Sequence, residues 1–232
     1  MAQQYNFTFT PEQVRQTNQV HAEFHHAYGL AMAQWAKLER MLYYWFAYIT
    51  RVEDKMARAI FFSGRSFNAR AEMLLAAIEH AQLSAGQIEF IKASHKRAWG
   101  YSGFRNTITH GESMMNAKLL NGVVQSVEYL IVQGKAVGPQ GTDVSIDQLL
   151  TAADNFHRLA EIIHNAHPVY GEKPQKPPEE YLALVNALPN QANSKNVQTP
   201  STPGPQPQDD RVNKKAYRAE QAATKTKPSA DD

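Results

Sequence analysis

The residues best suited to chemistry lie in one stretch, from Phe104 to Gly111, with the sequence FRNTITHG. Arg105 is a permanent cation whose planar group matches the geometry of phosphate oxygens. His110 has the side chain that exchanges protons near neutral pH. An arginine and a histidine so close together, with Asn106 as a polar neighbour, therefore indicate phosphodiester chemistry.

The spacing of these residues limits how they can meet. Residues five apart on a helix are separated by about 140°, so Arg105 and His110 of one chain point in different directions, whereas Asn106 and His110 share a face. Two arrangements bring them together: the helix ends in a left-handed cap at Gly111, or a second copy of the chain supplies the missing partner. The simplest alternative is that both residues lie on the solvated end of an ordinary helix.

The helix that carries this stretch begins at a capping box, in which Ser84 is followed three residues later by Gln87. Its inward stripe changes from apolar to polar along the positions Ile88, Ile91, His95, Ala98, Ser102, Arg105 and Thr109. Arg105 thus stands where a core residue is expected, and an unpaired buried cation is unfavourable. It has either a functional role or a structural ion pair with a carboxylate such as Glu39 or Glu72.

Three neighbours on the same helix are candidate substrate-binding residues. Trp99 and Tyr101 have rings that stack on a nucleobase if they are exposed, and pack in the core if they are not. Thr109 precedes the motif histidine and offers a hydroxyl group. The residue types alone leave both interpretations of the aromatic pair open.

The rest of the N-terminal part also has helical patterning. Thr10 followed by Pro11 predicts the start of a long helix that Gly29 divides, and residues 41–48 are apolar on nearly every side. Such a segment lies either in the core or in a subunit interface. Further helices are predicted over residues 53–62, from Ser66 to about Gln82, and from Ser145 to just before Pro168.

The stretch between the motif and Ser145 differs in composition from the helical segments. Asn121-Gly122 is the dipeptide typical of a tight hairpin turn, and residues 127–132 are rich in strand formers. The predicted fold class is therefore all-α, a bundle of about five helices over residues 1–170 with a small β-hairpin inserted within residues 112–144. No function is predicted for this inserted hairpin.

Residues 171–232 are predicted to be a disordered tail rich in proline, lysine and glutamine. Nine of the 12 prolines occur there, and the apolar residues are too few to repay the ordering entropy. Residues 179–188 and 214–223 are candidate short helices within it. The tail is expected to be dispensable for folding, whether it binds a partner or only spaces one.

Composition excludes several classes of site. The chain has no cysteine, so disulfides, thiolate metal sites and thiol nucleophiles are excluded. His21 and His25 are four residues apart but lack a third ligand, so no metal and no cofactor is predicted. No signal peptide or membrane-spanning segment is evident, which predicts a cytoplasmic location. The net charge of +2 gives no bulk signal for nucleic acid.

A helical chain with an internal helix ending in Arg-Asn-x-x-x-His-Gly resembles the HEPN superfamily over about residues 11–168. The resemblance implies an all-α domain whose motif residues are Arg105, Asn106 and His110. It also implies a metal-independent ribonuclease that acts as a homodimer on RNA, as in toxin and phage-defence systems, although other members only bind. The toxin subgroup with a tyrosine two residues after the histidine is not matched, because Glu112 stands there.

Two functions follow as hypotheses. The first is an endoribonuclease that cleaves single-stranded RNA, with an antitoxin or other regulatory protein as a partner. The second is an inactive helical module that binds a nucleotide, RNA or a protein. A small antitoxin or nucleotidyltransferase gene next to this one would favour the enzyme.

Overall fold

The computed structural model describes residues 9–120, 123–132, 143–169 and 176–193, which form a mostly helical bundle with one small sheet. Its elements are α1 (Pro11–Thr50), α2 (Asp54–Ser63), α3 (Phe67–Glu79), α4 (Ala85–His110), β1 (Glu112–Leu120), β2 (Val123–Val132), α5 (Ile146–Asn165) and α6 (Pro178–Ala187). The predicted helical class and hairpin are confirmed. Within the described ranges there are six helices, one more than the approximate five expected.

Polar side chains at the helix starts explain why the helices begin where they do. Thr10, Ser84 and Ser145 each accept a hydrogen bond from the backbone N–H three residues later. The side-chain oxygen of the glutamine at that position accepts one from the backbone N–H of the capping residue. Ser66 caps α3 in the same way through the N–H of Ala69. All four predicted helix starts are confirmed.

The longest helix, α1, runs for 40 residues without a break at Gly29, contrary to the expectation that this glycine divides it. It ends where Arg51 adopts a left-handed conformation with a φ of 53°. Its inward face includes Trp35, which is 1% exposed and packs against the rings of Phe67 and Phe156. Neither α1 nor any other described helix has a long enough apolar run to cross a membrane.

The aromatic segment of α1 belongs to the core of a single chain. Trp45 is 1% exposed, and its ring centroid lies 5.9 Å from that of Phe90 and 5.1 Å from that of His167. The indole N–H donates a hydrogen bond of 3.2 Å to the carbonyl of Ile163 on α5. Most of this segment is therefore covered within one chain, as the core alternative predicts, and Tyr48 at its end is 36% exposed.

Strands β1 and β2 pair antiparallel, from Glu112 opposite Val132, with a register shift between Lys118 and Leu119. The hairpin is tied to the bundle at its base, because Ile131 exchanges two backbone hydrogen bonds, of 3.2 and 3.1 Å, with Val144. Tyr129 packs against the ring of Phe24 on α1. The predicted Asn-Gly turn itself lies outside the described residues.

Residues 176–193, which the sequence assigned to a disordered tail, are ordered on the bundle, and the candidate short helix over residues 179–188 is confirmed as α6. The helix α6 and the turn after it pack on α4 and α5, and bury Tyr181, Val185, Leu188 and Ala192. The amide of Asn155 on α5 donates a hydrogen bond of 2.6 Å to the carbonyl of Ala192. The apolar residues of this segment recur at intervals of four, three and four, at positions 181, 185, 188 and 192, and all four are buried. The prolines around them made the segment resemble a disordered tail in the sequence.

Residues up to Asn196 belong to the compact unit, and Val197–Asp232 form a second unit. The predicted disorder of that C-terminal part, including the candidate helix over residues 214–223, lies outside the described residues.

The histidine after α5 is a group through which we expect the stability of the fold to depend on pH. The Nδ1 atom of His167 accepts a hydrogen bond of 3.2 Å from the N–H of Val169, which leaves Nε2 to donate to the carbonyl of Tyr44 at 3.2 Å. Protonation of Nδ1 would break the first of these bonds. Burial lowers the pKa of His167 from its ordinary 6.5, and burial also lowers the pKa of His95 on α4.

The free energy of unfolding is therefore expected to fall as the pH is lowered below about 6.5. In that range the unfolded chain binds more protons than the folded one, so acidification favours unfolding, whereas above it both states hold neutral rings. Urea unfolding at a series of pH values would measure the slope. His167→Gln should reduce the slope without abolishing it, because His95 still titrates; stability that is flat or rises on acidification contradicts the prediction.

Candidate functional site

The motif lies at the C-terminal end of α4, whose last residue is His110. The N–H of Gly111 donates a hydrogen bond of 2.9 Å to the carbonyl of Thr107 and closes the last turn. Gly111 has a φ of −79° and an extended conformation, so the expected left-handed cap does not form. The chain leaves the helix directly into β1, and His110 is not turned back toward Arg105.

Arg105 lies on the partly buried flank of α4. Its Nη1 donates a hydrogen bond of 3.2 Å to Oδ1 of the neighbouring Asn106. Its Nε is buried and finds no acceptor among the residues that the structure describes. The Nε of Arg70 is also buried without an acceptor, but Arg70 is paired with Glu39, whereas Arg105 has no carboxylate partner, and a ligand or a second chain could supply its missing acceptor.

The alternative of a structural ion pair is not supported. Glu39 is occupied by Arg70, whose Nη2 lies 2.5 Å from its Oε1, and both side chains are largely buried. Glu72 is exposed on α3, where its charge raises the pKa of His95 against the larger effect of burial. No carboxylate in the described ranges lies within 4.0 Å of the Arg105 guanidinium.

Asn106 and His110 both lie on the exposed face of α4, one turn apart. The hydrogen bond from Arg105 brings the guanidinium to Asn106, whereas the imidazole of His110 has no hydrogen-bond partner within the described part of the chain. One chain therefore presents a cation and a neighbouring amide, together with a separate imidazole about a helical turn away. It does not bring Arg105 and His110 into contact.

The three candidate substrate-binding residues have different outcomes. Trp99 is 40% exposed and available for contact with a ligand. Tyr101 is fully buried against Phe156, and burial raises the pKa of its hydroxyl to about 12, so stacking on a base is excluded. Thr109 is half-buried, and its hydroxyl donates a hydrogen bond of 2.8 Å to the carbonyl of Arg105 within the helix.

The exposed face of α4 forms a continuous track that leads to the motif. Exposed residues recur along it at intervals of four, three, seven and four: Lys92, Lys96, Trp99, Asn106 and His110. Between residues 92 and 110 the helix carries four Lys and Arg residues and no carboxylate. This local charge of +4 is hidden in the overall net charge of +2, because acidic residues elsewhere balance it.

Sequence reasoning missed the contribution of α6 to this surface. Asn186 and Asn190 lie beside the α4 track, where Arg97 donates a hydrogen bond of 2.5 Å to Oδ1 of Asn190 and one of 3.5 Å to the carbonyl of Asn186. Assigning residues 171–232 to a disordered tail excluded both asparagines from any site. The apolar stripe of α6 was the signal that would have included them.

The histidines near the N-terminus form a pair. The Nε2 atoms of His21 and His25 lie 2.9 Å apart, and the His21 ring packs edge-on against Tyr129 of β2. No group of three or more histidine, aspartate and glutamate side chains that could hold a metal ion occurs in the described ranges.

Comparison with known proteins does not assign the chain. No family model matches the sequence, and no match was found among curated proteins or among solved structures.

Proposed function

We propose that the chain is a metal-independent endoribonuclease of the HEPN type, which cleaves single-stranded RNA at a site built from two copies of the motif. The observation that carries the proposal is the state of Arg105: its Nε is buried, and no described carboxylate neutralises it. A cation without a structural partner, on the same helix end as an exposed imidazole, suits phosphate chemistry. The basic track along α4 supports RNA as the polyanion.

The chemistry uses the substrate's own nucleophile. The 2′-hydroxyl oxygen attacks the adjacent phosphorus and loses its proton to a base, the bond from phosphorus to the 5′-oxygen breaks, and an acid protonates that oxygen. The products are a 2′,3′-cyclic phosphate and a free 5′-hydroxyl. His110 acts as base or acid, Arg105 stabilises the charge on the phosphorane, and Asn106 orients Arg105.

A homodimer is predicted because one chain has a single motif histidine and holds it away from Arg105. An isologous two-fold dimer places two copies of each residue in one groove, so that acid and base come from different chains. Light scattering on the full chain should give about 52 kDa, twice the chain mass of 26.1 kDa. A monomer at tens of micromolar protein would contradict the composite site.

The direct test is cleavage of RNA by purified full-length protein in excess chelator. Single-stranded RNA should be cut to fragments with 2′,3′-cyclic phosphate ends, and DNA of the same sequence should remain intact because it lacks the 2′-hydroxyl. Inertness toward a broad panel of single-stranded RNAs would overturn the proposal.

One observation favours the second candidate, a non-catalytic helical module that binds a nucleotide, RNA or protein. Arg105 and His110 do not converge within one chain, so a chain that stays monomeric would retain the basic track but lack a complete catalytic site. Such a module would bind RNA without cutting it. The same assay separates the two functions when binding and cleavage are measured together. If the chain is the endoribonuclease, an antitoxin or regulatory protein that covers the motif is a further proposed partner. The non-catalytic module does not require one.

A further inference from the structure

A pocket between α4 and the C-terminal end of α6 lies on the basic track. Its volume is about 460 Å³, and its walls include Lys96, Arg97 and Trp99 of α4 together with Asn186 and Asn190. Ligand pockets for small molecules and single nucleotides have volumes of about 300–1,000 Å³. The pocket is therefore large enough for one nucleobase with its sugar.

The lining groups match the parts of an unpaired nucleotide. The exposed indole of Trp99 offers a flat face for stacking on a base. The side-chain amide of Asn186 is exposed beside it and has both a donor and an acceptor for a base edge. Lys96 supplies a mobile cation for the phosphate, and no carboxylate lines this pocket.

Arg97 is already held in place for such a ligand. Its hydrogen bond of 2.5 Å to Asn190, with a longer one of 3.5 Å to the carbonyl of Asn186, holds the guanidinium against the α6 side of the pocket. A guanidinium has five N–H donors, so donors remain for a phosphate or a base carbonyl. Pre-orientation reduces the entropy lost when a ligand binds.

The pocket and the motif belong to one surface. Trp99 precedes His110 by 11 residues on the same exposed face, a separation of about 16 Å along the helix axis at the α-helical rise. A single strand of RNA that stacks a base on Trp99 can therefore continue along α4 to the motif within a few nucleotides.

We propose that the α4–α6 pocket binds an unpaired nucleotide of single-stranded RNA, with its base stacked on Trp99 and its phosphate held by Lys96. The inference rests on the proposed function for the identity of the strand, and it adds a binding subsite separate from the scissile phosphate. It also gives α6 a role, since Asn186 of this helix lines the pocket together with Trp99.

The test measures binding without cleavage. Full-length His110→Ala protein is titrated into a fluorescently labelled, mixed-sequence single-stranded RNA, and anisotropy gives Kd. Adding Trp99→Ala should weaken binding by about 5- to 150-fold, the range for loss of one base stack. Trp99→Phe keeps an aromatic face, so its Kd should lie between those of the parent and the Trp99→Ala variant. Phe62→Ala removes a similarly exposed aromatic side chain from α2 and should leave Kd unchanged.

The contribution of the Lys96 charge is tested by the dependence of Kd on salt concentration. Lys96→Ala should reduce the slope of log Kd against log salt concentration by about 0.7, the value for one phosphate contact on a single strand. Lys55→Ala on α2 is the matched control and should leave the slope unchanged. Because Trp99 and Lys96 are exposed, thermal melts of these variants should match that of the parent.

The outcomes separate this inference from the proposed function. Equal binding by Trp99→Ala, Trp99→Phe and the parent would overturn the pocket even if the wild type cleaves RNA. Tighter binding to a duplex than to a single strand would overturn it as well. Binding that depends on Trp99 in a protein that cleaves no RNA would support the pocket and reject the nuclease.

Discussion

Replacing His110 with alanine should lower the rate of RNA cleavage by about 10²- to 10⁴-fold, the usual contribution of one positioned acid or base. The side chain is the last on α4, it is exposed, and no described residue hydrogen-bonds its ring. Thermal stability should therefore stay the same. Cleavage rates in chelator and melting curves of the same preparations measure both effects.

Arg105→Ala should reduce cleavage by a comparable factor, because the phosphorane would lose its cation. Arg105→Lys keeps the charge but lacks the planar fork, so we expect only partial recovery. The matched control is Arg70→Ala, which breaks the largely buried ion pair with Glu39. That variant should lose thermal stability while each folded molecule keeps its activity.

A reversed pattern would reject the catalytic assignment. If Arg105→Ala lowers the free energy of unfolding as Arg70→Ala does, Arg105 is a structural residue. If the double variant Arg105→Ala/His110→Ala cleaves as fast as the wild type, the activity belongs to another site or to a contaminant. In either case the RNA-binding module becomes the better interpretation.

The helical framework followed from local signals in the sequence. Ser84, Ser145 and Thr10 cap helices through contacts that span only three residues, so their types and spacing were enough to predict these starts. The hairpin was predictable for the same reason, since a turn dipeptide and strand formers act locally.

The features that sequence reasoning missed depend on distant contacts. Whether Tyr101 faces the core or a ligand depends on Phe156 of α5, and the carboxylate of Glu39 binds Arg70 of α3 rather than Arg105. The conformation at Gly111 depends on the strand that follows, because a chain entering β1 directly has an extended residue there. Local patterns contain none of this information.

The fold of residues 176–193 leads to the second large prediction. A chain ending at residue 170 should be less stable than one ending at residue 196 by about 3 kcal/mol or more, because burying each large apolar side chain contributes about 1.5–3 kcal/mol and ordering entropy offsets only part of it. For a domain of this size the melting temperature should fall by about 6–12 °C. The residues lost include buried Tyr181, Val185 and Leu188.

Two truncations and the full chain give the measurement, by calorimetry under identical conditions. Ending at residue 196 keeps the compact unit and should leave the melting temperature unchanged relative to the full chain. Ending at residue 170 also removes the acceptor at Ala192 for the buried amide of Asn155, which adds to the destabilisation. Equal melting temperatures for all three would show that α6 is not held on the bundle in solution.

Two glycines of α4 test the same docking without removing any residue. A methyl group at Gly100 would lie 2.8 Å from the carbonyl oxygen of Asn190, whereas one at Gly103 would meet nothing within 4 Å. Since alanine is favoured over glycine inside a helix by about 0.5–1 kcal/mol, Gly103→Ala should raise stability. Gly100→Ala should lower it, because the backbone at Asn190 must move away. Opposite signs for these two substitutions would place the segment after α6 against α4, and equal stabilisation would exclude that contact.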